Sequence, residues 1–315
     1  MKRRFHIKAA LFCASTALCM SLSSCFTGVE GTKTVTLSRE DIKAQQPSAE
    51  TQLLADIKLL PAGSWLPGKE FMATESRLAY LMEMPPEWTP ADSIGRRLLI
   101  FMGMEPRMLP DGSTQAMLLF QLDGAVLRLP TGKSPEATQT GYYASMIPML
   151  VDMDIVERTD SVLRGRKMYT RSQLWYDACG EKIPGRKFVP VEITGVKPGT
   201  TAFPLNVEFR DADGATAYMP MNYGASGFES RSLESLFSID DPRRKHANIP
   251  ESHWEAICNG KVLPGMTKEE CRLSLGNPSD VNAGHSYSQT LDIWQYPDGR
   301  VLRFADGLLV DFNFR

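Results

Sequence analysis

Four patterns in this chain could carry chemistry. Outside the first 24 residues the His are His246, His253 and His285; none stands in H-E-x-x-H or has a partner at ligand spacing, so they read as surface or capping residues and no metal site is expected. Thr131-Gly132-Lys133-Ser134 has the end of a phosphate-cradling loop, but Leu127 occupies the place of its first Gly. Gly224-Ala225-Ser226-Gly227 lacks the spacing and the His that would activate a Ser. Among 16 Met, the pairs Met82/Met84, Met102/Met104 and Met219/Met221 have a spacing at which thioethers can hold Cu(I). On a strand, i and i+2 share a face, so the same pairs predict a buried β face. Nucleophile, base and orienter cannot be assembled from these motifs, so the expectation is a non-enzymatic protein without cofactor.

Cysteine carries the clearest signal. Lys2, Arg3, Arg4 and Lys8, the apolar run from Ala9 to Leu22, and Leu22-Ser23-Ser24-Cys25 form a three-part export signal too short to span a bilayer. Its end resembles a bacterial lipobox, which implies that Cys25 is lipidated and becomes the new N-terminus. The rival readings are an ordinary secretory signal cut nearby and an uncleaved helix. Acyl methylenes, each worth about 0.8 kcal/mol when buried, would hold the chain to a membrane. Phe26 follows the Cys instead of the Asp that retains lipoproteins at the inner membrane, and no acid cluster follows. The expected place is the outer membrane, facing the periplasm. An oxidising compartment would permit a disulfide between Cys258 and Cys271, which fall on consecutive helices. Buried free thiols are the favoured reading, and Cys179 has no evident partner.

The chain has 315 residues, 43% hydrophobic and 23% charged, enough for several packed cores. Its formal net charge of −2 falls to −6 beyond residue 24, so no nucleic acid is expected as a partner. Residues 1–24 are the signal peptide and 25–47 a polar tether; Leu53, Leu54, Ile57 and Leu60 then predict a helix over 49–60, stopped by Pro61-Ala62-Gly63.

The chain repeats itself. Ser64-x-Leu66-x-Gly68-Lys69 matches Ser161-x-Leu163-x-Gly165-Arg166. In the same order, Ser76 to Tyr80 answers Ser172 to Tyr176, Gly95 to Leu98 answers Gly185 to Phe188, and Asp123-Gly124-Ala125 answers Asp213-Gly214-Ala215; Pro130 and Pro220 each lie six residues after that Gly. The expected fold class is α+β: two tandem β-rich modules of SH3-like size (63–133 and 160–222), then a two-helix, three-stranded antiparallel domain. The boundaries read as 48–133 for the helix plus first module, 134–159 for a connector, 160–222 for the second module, 223–248 for a linker and 249–315 for the last domain. Both Asp-Gly pairs predict two-residue hairpin turns. Asp240-Asp241-Pro242-Arg243-Arg244-Lys245-His246 reads as a solvated hinge.

In the last domain, Trp254, Ile257 and Cys258 share a helical face. Thr267-Lys268-Glu269-Glu270 is a capping box, and three strands follow around Pro297-Asp298-Gly299 and Asp306-Gly307. Gly265-Met266-Thr267 with Glu270, Leu275-Gly276-x-Pro278, Trp294-x-Tyr296, and Phe304 with Gly307 resemble the SmpA/OmlA family of small outer-membrane lipoproteins, the BamE-like fold. The resemblance covers about sixty residues, with more than two hundred ahead of it. It implies a non-catalytic role linked to the machine that inserts β-barrels into the outer membrane. The expectation is a periplasm-facing scaffold or protein-binding accessory, anchored to the membrane by lipid and bound to an envelope protein. The alternative is an inhibitor or sensor that binds an envelope enzyme or glycan, since the same topology occurs in secreted inhibitors of β-lactamase.

Overall fold

Short alternating runs broken by Gly, Pro and Asp give the chain three antiparallel sheets with few helices between them, a mixed α+β architecture. The computed structural model describes residues 47–86, 94–223, 231–286 and 289–313. Cys25, the signal, the tether up to residue 46 and Gly224 to Gly227 lie outside them. The first element is α1 (Ala49–Leu53), capped by Ser48 Oγ, which accepts the Thr51 N–H at 3.1 Å. The helix stops seven residues short of the predicted end. Leu53, Leu54, Ile57 and Leu59 all pack on the core of the second sheet, and that packing overrides their helical spacing.

The first sheet holds β1 (Glu70–Ala73), β2 (Leu98–Met108), β3 (Thr114–Leu122) and β4 (Ala125–Pro130). After α2 (Pro135–Gly141) it is completed by β5 (Leu150–Asp152), in the order β4-β3-β2-β1-β5. Its inner face is aromatic: Phe71, Phe101 and Phe120 pack with Trp65, with ring centroids 4.6–5.9 Å apart. Helix α3 (Met153–Leu163) starts directly from β5, with Asp152 as its cap. The second sheet takes β6 (Lys167–Thr170), β7 (Leu174–Tyr176), β8 (Lys182–Pro184), β9 (Pro190–Pro198), β10 (Leu205–Asp211), β11 (Thr216–Met221) and, after α4 (Leu233–Leu236), β12 (Phe237–Ser238). Its order is β12-β6-β9-β10-β11-β7-β8.

Five strands of each sheet run the same course: β5-β1-β2-β3-β4 matches β12-β6-β9-β10-β11. The backbone bonds correspond as well. Gly68 N–H donates to Phe101 and Phe101 N–H to Lys69, both at 2.8 Å; Gly165 and Ile193 with Arg166 repeat this at 2.8 and 2.9 Å. The structure corrects several details. Residues 134–159 are not a connector and 223–248 not a linker, because each supplies an edge strand of the preceding sheet. Arg96 and Phe188 both reach back to the end of the first strand of their sheet (Ala73 and Thr170), with φ of 59° and 57°, so Gly95 matches Lys187 rather than Gly185. Asp123-Gly124 is the expected two-residue turn with both φ positive. Ala212-Asp213-Gly214 is a three-residue loop, because the Asp211 carboxylate gathers the Asp213 and Ala215 N–H groups and accommodates one residue more. Ser76 to Leu81 forms a 3₁₀ turn where the second sheet has the β7–β8 hairpin. Leu66 is 75% exposed whereas its counterpart Leu163 is buried, Trp65 having taken the core position.

The last domain has α5 (Glu251–Cys258), α6 (Lys268–Leu275), β13 (Asp280–Ser286), β14 (Gln289–Gln295), β15 (Val301–Ala305) and β16 (Leu308–Asn313). The sheet is four-stranded, not three, in the order β13-β14-β15-β16. The extra strand carries little β-branched pattern and forms by pairing along all of β14. Thr267 and Glu270 close a capping box at 3.2 and 2.6 Å, and Gly276 ends α6 with φ 85°. Trp254, Met266, Cys271, Trp294 and Phe304 fill the core between helices and sheet.

Candidate functional site

Several of the residues singled out for chemistry hold structure, although Met102 is 44% exposed and not on a buried β face. Thr131 Oγ1 donates to the Ala116 carbonyl at 2.7 Å, and Ser134 caps α2 by accepting the Ala137 N–H. Met219 and Met221 are fully buried, and the Met104 sulfur accepts the Thr138 hydroxyl at 3.3 Å. His253 lies 3.2 Å from Glu270, the capping-box acid, and His246 lies 3.5 Å from Glu269 and stacks near Trp254. Cys258 and Cys271 are buried free thiols. Burial pushes both up, Cys271 to about 12, and Cys179 is exposed. Among the described residues no three His, Cys, Asp or Glu side chains converge as a metal ion would require, and no helix is long and apolar enough to cross a membrane.

Three arrangements invisible in the sequence come together instead. The first is a buried charge cluster where the two sheets meet. Lys69, ahead of β1, donates to Asp152 Oδ1 at 2.7 Å and also pairs with Asp154; the Lys69 and Asp152 side chains are 7% and 2% exposed. Burial outweighs the Lys69 ammonium and holds the Asp152 carboxyl above the usual carboxylate range. Tyr223, after β11, is pushed up by its own burial and by the Asp152 charge. Asp152 also caps α3, accepting the Asp154 N–H at 3.1 Å, so one carboxylate ties sheet, helix and lysine.

The second is an open groove of about 480 Å³ between the corner before β5 and the β9–β10 turn. Met146, Pro148, Met149 and Ala202 give it an apolar lining, and Thr200 and Thr201 stand at its rim. Met149 takes φ 62°, held by its N–H donating to Thr201 Oγ1 at 2.6 Å. Glu75 and Arg77 at its edge pair with each other at 2.5 Å. Such a lining is mostly apolar, and its one carboxylate, Glu75, is engaged by Arg77.

The third is the seat of the last domain. Lys187 donates through its backbone N–H to the Cys258 carbonyl at 2.8 Å and through Nζ to the Ser274 carbonyl at 2.7 Å, so it meets the C-terminal ends of both helices. Burial, with Arg300 nearby, lowers the pKa of this ammonium. Phe188 stacks on Trp254 at 5.5 Å, and Arg243 covers the same indole at 4.8 Å while donating to the Ile249 carbonyl. The 240–246 segment is therefore a 3₁₀ turn (Pro242–His246), capped by Asp241 and bound to the domain it leads into. Thus seated, the last sheet buries one face on α5 and α6 and turns the other outward. Leu291, Ile293, Leu308 and Val310 are 37–54% exposed there, around an Arg303–Asp311 pair. Set against family profiles, curated proteins and solved structures, the chain matches none.

Proposed function

We propose that this chain is a lipid-anchored, non-catalytic accessory of the bacterial outer membrane, facing the periplasm, whose last domain presents a protein-contact surface. The observation that carries the reading is the outward face of the last sheet. Four large apolar side chains are held in one plane by a domain seated on the second sheet through Lys187, Phe188 and Trp254. A preorganised apolar face with a polar pair within it has the composition of a protein-binding patch. The resemblance to the SmpA/OmlA family supports the same reading. Thr267 and Glu270 close the cap, Gly276 ends the helix, Trp294 and Tyr296 enter the core, and Gly307 makes the last turn.

The test has two parts. Replacing Cys25 with Ala should move the protein from the membrane to the soluble envelope fraction and abolish acyl labelling. Affinity capture from solubilised membranes should recover barrel-assembly components with the wild type and lose them with Ile293→Asp. Recovery of one soluble hydrolase at stoichiometric amount would replace the scaffold by the inhibitor reading, and unchanged membrane association without acyl label would overturn the anchor.

A further inference from the structure

Of the six strands that end the three sheets, all but one are short or guarded, among the described residues. At β4, Glu83 takes the edge: its N–H donates to the Arg128 carbonyl at 2.7 Å and its carbonyl accepts the Arg128 N–H at 3.0 Å. Strands β5 and β12 have three and two residues, and β8 has three, with Lys182 and Pro184. At β16, Gly265 N–H donates to Leu309 and Leu309 N–H to Met266, at 2.7 and 2.8 Å, so the 265–267 segment lies along it. These are the devices that stop sheets from pairing edge to edge. Among the described residues nothing lies along the outer edge of strand β13, and its one charged side chain in the Asp, Glu, Lys and Arg set is Asp280, at its start. The strand runs seven residues without a register shift against β14 and contains no Pro, Lys or Arg, and Val281, Asn282, Ala283 and Gly284 are all exposed.

We propose that β13 pairs with β13 of a second copy of this chain, antiparallel about a two-fold axis at Ala283, joining two last sheets into one of eight strands. An antiparallel two-fold pair needs one residue opposite itself, and only Ala283 lets all seven residues pair. Asn282 then meets Gly284, Val281 meets His285 and Asp280 meets Ser286. The strand's one acidic residue, Asp280, stands at the far end from its copy, and Ala283 and Gly284 carry little or no side chain at and beside the axis, where the backbones approach. One strand further in, Leu291 and Ile293 lie on the outward face of each copy, so the joined sheet presents both apolar faces on the same side. A single strand pair covers less than the roughly 800 Å² per partner of stable interfaces, so the pairing is weak in dilute solution and is best read by trapping.

The experiment uses the full chain with Cys179→Ser, in membranes, under mild oxidation; this parent, which keeps Cys25 and the buried Cys258 and Cys271, gives the background against which each variant is read. Ala283→Cys places two thiols on residues whose Cα atoms stand about 4.5–5.5 Å apart, inside the disulfide range. In Val281→Cys the two thiols are about 14 Å apart. Ala283→Cys should give a disulfide dimer at least roughly tenfold above Val281→Cys. A mixture of Asn282→Cys and Gly284→Cys chains should cross-link to each other more than either does to itself. Equal yields at 281 and 283, no dimer in a variant whose unfolding midpoint matches the parent, or Ala283→Cys trapped on a different protein would each overturn the proposal. These readouts do not depend on whether the outward face binds a partner.

Discussion

Lys69→Met offers a measurable test of how the two sheets are joined. The substitution keeps the aliphatic stem and removes the ammonium, leaving Asp152, 2% exposed, beside a half-exposed Asp154. Breaking one side of a buried pair typically costs about 3–5 kcal/mol. Asp152 can escape part of that by taking up a proton, because burial already holds its pKa above the usual value and loss of Lys69 raises it further. A carboxyl whose folded pKa exceeds its unfolded one binds the proton more tightly when folded. Its contribution is therefore full below the unfolded pKa, near 3.9, and is lost as pH rises through the folded pKa, at about 1.4 kcal/mol per pH unit between the two. The variant should lose about 3–5 kcal/mol at pH 8 and clearly less at pH 5. Adding Asp152→Asn should flatten that pH dependence. Urea unfolding followed by tryptophan fluorescence between pH 5 and 8 measures all three chains. A Lys69→Met profile parallel to the wild type, displaced equally at every pH, would refute the buried-carboxylate account.

Three further outcomes are expected. Gly124→Val should destabilise by about 1–2 kcal/mol in thermal unfolding through φ 83° alone, since a Cβ there meets nothing within 4 Å; Gly124→Asn should cost less. Phe188→Ala should lower stability by about 2–4 kcal/mol, speed protease cleavage near 240–248 and shift the emission of Trp254, because the stack that seats the last domain is lost; unchanged cleavage would mean that Lys187 suffices. With alkylating reagent at pH 8, Cys179 should react at once and Cys258 and Cys271 only after denaturation without reductant; peptide mapping that links the last two would contradict the free thiols.

What the sequence shows and hides follows from range. The cap at Thr267 and Glu270, the turns at Asp123-Gly124 and Asp306-Gly307, and the ordered matches between the two sheets are local patterns, and they are legible. The strands at 150–152 and 237–238 have two or three residues, and β13 reads as Asp-Val-Asn-Ala-Gly-His-Ser; each exists only because a neighbouring strand is there to pair with it. The charged run at 240–246 looks solvated by composition, yet the Arg243 guanidinium lies on an indole eleven positions later. Lys69 and Asp152 are 83 residues apart, and Lys187 reaches a carbonyl 87 residues on, so no spacing rule could bring either site to light.

The seating of residues 50–59 has a consequence for the order in which the protein can be built. This stretch precedes the first sheet in the chain but belongs to the second: Glu50 accepts the Ile239 N–H at 2.9 Å, Thr51 donates to Glu234, and four apolar side chains rest on a core that is complete only when β11 and β12 exist. During synthesis, the first sheet has all its strands once residue 152 has emerged, while the stretch ahead of it still waits for more than eighty residues. The first module is thus bracketed by two pieces of its neighbour. Cutting the chain near residue 61 would not trim a tail; it would uncover the greasy flank of the second sheet and leave that half of the molecule as the part prone to aggregate.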